Sequence, residues 1–192
     1  MTLLSDSELI KFKDFYDKKQ WKQVAAFGEE LLKKDPRDGK AIRFGVIDAY
    51  AILSDADGAE SLARRYCEYA DEGEDYDPFV YRSAQEITDG WSDKQKETWL
   101  ETIDNSMKFQ LAMAYWNSRD DSRIEDAKKL ISSMPEFLDE YLAMDEVGIE
   151  REKEEHLFRY KPGTVDELHI FVGVPYDDQV EFRNWIEREG LR

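Results

Sequence analysis

The sequence predicts a mainly α-helical protein made of antiparallel helix hairpins stacked side by side and ending in a C-terminal helix. Apolar residues recur at three- and four-residue steps through most of the 192 residues, which lines one face of a helix. Ten Gly and five Pro fall between those stretches rather than inside them. A single segment, 168–174, carries the β-branched, apolar character of a strand.

The first helix begins after Ser5, where Ser5-Asp6-Ser7-Glu8 has the form of a capping box. Leu9, Phe12, Phe15 and Tyr16 follow on one face. A second stripe, Trp21, Val24, Phe27, Gly28, Leu31 and Leu32, is stopped by Asp35-Pro36, because Pro lacks the N–H and clashes with the preceding turn. A third stripe runs from Ala41 to Tyr50 and ends near Ser54–Gly58. A fourth, Leu62 to Ala70, ends in the acidic stretch 71–75. Pro78 opens a fifth helix with Phe79, Val80, Ala84 and Ile87. Ser92 caps a sixth with Trp99, Leu100, Ile103 and Met107, which either breaks near Asn105 or continues to Trp116. Further helices start at Asp121 or Ser122 and at Pro135, a residue suited to the first turn.

The last third differs. Residues 136–160 hold nine acidic and three basic side chains, and Glu150 to Glu155 form a charged run that suits a helix projecting into water. Segment 168–174 reads as a strand, or as a buried helix started by the capping pattern Thr164 to Glu167. Asp177 caps a final helix bearing Val180, Phe182, Trp185 and Ile186, ended by Gly190.

The run from Trp21 to Pro36 resembles the second helix and closing turn of a tetratricopeptide (TPR) repeat, with Trp21, Val24, Phe27, Leu31 and Pro36 at matching places. The resemblance covers one unit at about 5–38 and, more loosely, a second at 39–72; Gly28 stands where the family usually has a large residue. It implies a short TPR-like solenoid over residues 1–134, with 135–192 packing on or extending it.

Stacked helix pairs present a concave wall that binds other proteins. A lining from the first helix of each pair takes in Arg43, Asp48, Tyr50, Tyr81 and Gln85. With 44 acidic against 27 basic residues the formal net charge is −17, so the chain repels bare nucleic acid and anionic membranes and suits a basic protein or peptide partner. Residues 1–43 are net +2, with Lys11, Lys18, Lys19 and Lys22 near one hairpin tip; the remainder carries −19. These features predict a non-catalytic, cytoplasmic adaptor or regulatory module. The alternative is an acidic inhibitor or immunity-type protein that covers a basic target with Glu150, Glu152, Glu154 and Glu155.

No chemistry-bearing motif supports catalysis, a paired-carboxylate enzyme being a third alternative only because the chain has 44 carboxylates, and no cofactor is expected. Asp166 and His169 stand three apart, the spacing of a helical metal pair, without a second copy. With Gly58 as the glycine of a calcium loop, the first ligand position is Leu53 and the twelfth Arg64, which fails. Cys67 sits on an apolar helix face, where a thiol behaves as a small hydrophobe. No nucleophile elbow, phosphate loop or dinucleotide fingerprint occurs. Trp91, Trp99, Tyr115, Trp116 and Trp185 suit a core better than a groove, with Trp91 the best candidate for exposure.

Overall fold

A computed structural model of the chain describes residues 4–35, 40–71, 83–144, 146, 148, 158–160, 168–170 and 176–191. Its elements in order are α1 (Asp6–Asp17), α2 (Trp21–Lys34), α3 (Lys40–Ile52), α4 (Ala56–Asp71), α5 (Ala84–Asp89), α6 (Asp93–Thr102), α7 (Asn105–Asn117), α8 (Asp121–Ser132), α9 (Pro135–Ala143), β1 (Phe158–Tyr160), β2 (Leu168–Ile170) and α10 (Tyr176–Glu189). The protein is mainly helical. No helix among the described residues is long and apolar enough to cross a membrane.

Three hairpins share one turn. After α1, α3 and α7 the chain passes through a left-handed residue, Lys19 at φ 52°, Ser54 at φ 62° and Arg119 at φ 59°, and then through Gln20, Asp55 or Asp120 into the next helix. The first two turns tie off the ending helix in the same way. Gln20 N–H donates to the Phe15 carbonyl and Asp55 N–H to that of Tyr50, both at 2.9 Å, while Lys19 and Ser54 donate to Tyr16 and Ala51. In the third turn Ser118 Oγ donates to the Tyr115 carbonyl at 2.7 Å and Arg119 N–H to Trp116. Phe15, Tyr50 and Tyr115 therefore hold the same place, two residues before the end of their helices.

The hairpins pack in sequence: α2 on α3, α3 on α4 and α7, α4 on α7, and α7 on α8. Helices α5 and α6 are inserted between the second hairpin and the third and lie against α4. Phe12 reaches between Gly28 and Gly45, where an added Cβ would meet its ring at 3.0 and 2.8 Å; at Gly28 it would also clash with Val46. The absence of a side chain at Gly28 thus lets three helices converge on one Phe ring. Every residue from Met107 to Trp116 is buried, so α7 is the molecule's axis.

Several boundaries sharpen the sequence reading. Ser5 and Glu8 form the expected capping box, and Pro135 opens α9. The sixth helix breaks at Ile103, because Asp104 caps α7 by accepting from Met107 N–H at 2.8 Å. The helix holding Ile87 starts at Ala84 rather than Pro78, since Ser83 and Glu86 form their own capping box. Pro78 and the run Glu150 to Glu155 lie outside the described residues. Leu168–Ile170 is a strand, as one of the two readings had it. Its partner is the antiparallel Phe158–Tyr160, with Arg159 opposite His169, in a segment whose sequence carries no strand signal.

The C-terminal helix closes the core. Phe182 packs edge-on to Phe109 at 5.2 Å between centroids and tilted to Trp116 at 5.3 Å, and Trp185 stacks on Phe182. Phe137 and Tyr141 of α9 join Phe109 from another side. Trp99, Tyr115, Trp116 and Trp185 are core, as expected; Trp91 is half-buried against Trp99 at 6.2 Å. Arg183 fastens the helices by donating through Nη2 to the carbonyls of Tyr141, Leu142 and Met144 at 3.2, 3.1 and 2.7 Å, satisfying the end of α9.

Candidate functional site

The residues expected to line a groove separate in the structure. Asp48 is fully buried and accepts from Tyr16 Oη at 2.7 Å, a bond from α3 to α1. Arg43 is 9 % exposed, its guanidinium 4.7 Å from the centre of the Tyr66 ring. Both join helices to one another and offer no open surface, because α3 is enclosed by α2, α4 and α7. A short polar side chain mid-helix reads as exposed until the hydroxyl that pairs with it is seen on another helix. Tyr81, Glu150, Glu152, Glu154 and Glu155 lie outside the described residues. Gln85 is exposed on α5, its amide donating to Asp89 at 2.6 Å, and Tyr50 is half-buried.

Tyr50 belongs to a clasp among three helices. Its hydroxyl donates to Glu29 of α2 at 2.9 Å, and Arg65 of α4 grips both oxygens of the same carboxylate, at 2.8 and 2.6 Å. Arg65 Nε is anchored on the Ser61 carbonyl. The Arg65 side chain is only 6 % exposed and that of Glu29 18 %. Burial, followed by the neighbouring Glu29 charge, pushes the Tyr50 phenol well above its ordinary range, so its proton stays in the hydrogen bond.

A second clasp repeats the plan one step along the stack. Tyr115 of α7, in the place equivalent to Tyr50, donates to Glu60 of α4 at 2.8 Å. Arg123 of α8 donates to the same Glu60 oxygen, and Arg64 takes the other with Nε and Nη2 at 3.0 and 2.6 Å. Burial pushes the Glu60 carboxyl upward, but the bonds from Arg123, Tyr115 and Arg64 outweigh it and hold the group below its ordinary value. In the first hairpin the equivalent residue is Phe15, which carries no hydroxyl to donate and packs on Phe27 under Lys11.

The second clasp opens onto a cavity of about 260 Å³. One wall is α4 with Asp57, Glu60, Ser61 and Arg64. The inserted α5 supplies Gln85 and Thr88, and α8 supplies Arg123. Arg64 is held from behind by Trp99, 4.9 Å from its guanidinium to the ring centre, and donates forward to Thr88 Oγ1 at 3.2 Å. Arg123 spends its other arm on Asp57, at 2.7 Å, whose side chain is 90 % exposed. Of the residues that line this cavity, the sequence marks Gln85 alone for protein binding. The usable signal is the Tyr two residues before the end of α3 and α7, with an Arg on the following helix.

Among the described residues no group of three His, Cys, Asp or Glu could hold a metal ion. Cys67 is buried, its thiol donating to the Trp99 carbonyl at 3.4 Å and accepting from Thr102 at 3.3 Å. Surface charge is strongly divided instead. Lys11, Lys18, Lys19, Lys22, Lys33 and Lys34 are exposed on the first hairpin. Glu136, Asp139 and Glu140 are exposed on α9, which has no Lys or Arg, and Asp177, Asp178 and Glu181 on the start of α10. Lys19 reaches Asp178 at 3.4 Å. Comparison with protein-family models, curated proteins and solved structures finds no match to this chain.

Proposed function

We propose that this chain is a non-catalytic, TPR-like helical-repeat module that binds a protein or peptide with a basic contact surface. The docking surface is the acidic outer side of α9 and the first two turns of α10. One observation carries the reading: two helices locked together by Arg183, and by Tyr141 Oη bonded to Gln179 at 3.1 Å, turn Glu136, Asp139, Glu140, Asp177 and Glu181 outward. Like charges held on a rigid support attract a basic partner over distance and speed its encounter, an effect that salt weakens. The three matching turns support the repeat reading, and the engagement of Glu29, Glu60 and Cys67 in internal bonds supports a binding role over a catalytic one. A cytoplasmic setting suits the single buried thiol.

The test is capture of partners from the native source at low and high salt by the wild-type chain and by a Glu136→Lys, Asp139→Lys, Glu140→Lys variant. The reading expects a partner held at low salt, released at high salt, and lost by the variant with its fold intact. Equal capture by both chains would contradict it. A captured nucleic-acid enzyme whose activity falls on binding would instead favour the acidic-inhibitor reading of the same surface.

A further inference from the structure

We propose that the cavity above Glu60 is a binding site for a small organic carboxylate, and that Asp57 occupies the anion position in the free protein. The two acidic groups there are held very differently. Glu60 is saturated, with one oxygen taking Arg64 and the other taking Tyr115 and Arg123, so it is part of the wall. Asp57 is held by one guanidinium nitrogen, on a side chain that is 90 % exposed, in the first turn of α4. An exposed ion pair of this kind contributes little and exchanges readily.

When Asp57 swings into solvent, the cavity keeps two guanidinium groups against one carboxylate, and Arg123 Nη2 points at the vacated position. A carboxylate oxygen is a natural charge-assisted acceptor for that N–H. The position is built rather than incidental. Arg64 is fixed between Trp99 and Thr88, Arg123 rests on the Tyr115 ring at 4.9 Å, and the inserted α5 supplies the Gln85 amide and the Thr88 hydroxyl on the opposite wall. At the Glu29 clasp, by contrast, Arg65 is bound to both oxygens of one half-buried carboxylate.

The experiment is an NMR titration of the full chain with N-acetylglycine, N-acetylglycine amide and inorganic phosphate at constant ionic strength, following the Arg Nε and Gln85 amide signals. N-acetylglycine is expected to shift the Arg123 and Gln85 signals to saturation, and the amide to leave them in place. Asp57→Asn removes the internal competitor and tightens binding about two- to fivefold, the span an exposed pair contributes. Arg123→Gln weakens it about tenfold or more. An equal response to acid and amide, or unchanged affinity in Asp57→Asn, would overturn the proposal. Tighter binding of phosphate than of N-acetylglycine would overturn the carboxylate assignment. Should Arg123→Gln lose its helical circular dichroism, Asp57→Asn decides alone.

Discussion

Arg64 and Arg65 are neighbours on one helix, yet they serve opposite neighbourhoods. Arg65 turns toward α2 and α3 and is enclosed with Glu29 and Tyr50; Arg64 turns toward α5 and α8 and meets Glu60, Tyr115 and Arg123 beside a cavity. Both clasps use one carboxylate, one phenol and guanidinium to join successive hairpins. What sets the second apart is the inserted α5, which lies on α4 beside it. The same three-group chemistry is thus a fastener at one clasp and a recessed polar site at the other, where an inserted helix supplies one wall.

That contrast is open to being broken by substitution. The largest effect is expected at the closed clasp. Arg65→Met leaves the Glu29 charge with Tyr50 in a mostly enclosed site and should cost about 3 kcal/mol in chemical denaturation. Tyr50→Phe and Tyr115→Phe each remove one hydrogen bond to a carboxylate, for about 1 kcal/mol or a little more. The Tyr115 change should be the milder, because Glu60 keeps two arginines. Arg123→Met, at the open clasp, should cost about 1 kcal/mol. Equal losses for Arg65→Met and Arg123→Met would erase the distinction. Smallest is Asp57→Asn, expected within about 0.5 kcal/mol of wild type.

Acid sharpens the same comparison. Glu8 of the first hairpin is lowered to about 2 by the hydrogen bond from Lys34 and then that from the Ser5 backbone, and Glu60 is also held below its ordinary value. A carboxyl that binds its proton less readily when folded contributes stability above its ordinary pKa, and that contribution fades as pH falls toward the folded value. Unfolding midpoints should therefore drop between pH 4.5 and about 2. Glu8→Gln and Glu60→Gln should each flatten that slope while lowering stability at neutral pH. A slope unchanged in both variants would assign the acid sensitivity to other carboxylates.

Much of this architecture is legible from the chain because it depends on neighbours in sequence. The Ser5 box, the stop at Asp35, the start at Pro135 and the apolar stripes of α1 and α2 are local, and each is found. The clasps are not local. Glu29, Tyr50 and Arg65 lie on three helices, and nothing about a lone Glu or Arg in an amphipathic run distinguishes an enclosed residue from a solvated one. Asp48 misleads for the same reason: its burial rests on Tyr16, in another hairpin. Strand β1 escapes notice because three residues are too few to show an alternating pattern.

The most direct measurement is side-chain hydrogen exchange of the two guanidinium groups in the intact protein, with and without N-acetylglycine. The protons of Arg65 should exchange slowly and ignore the acid, whereas those of Arg123 should exchange quickly and slow when the acid is present. Matching rates at both arginines, or a response confined to Arg65, would contradict the division into a sealed fastener and an open receptor.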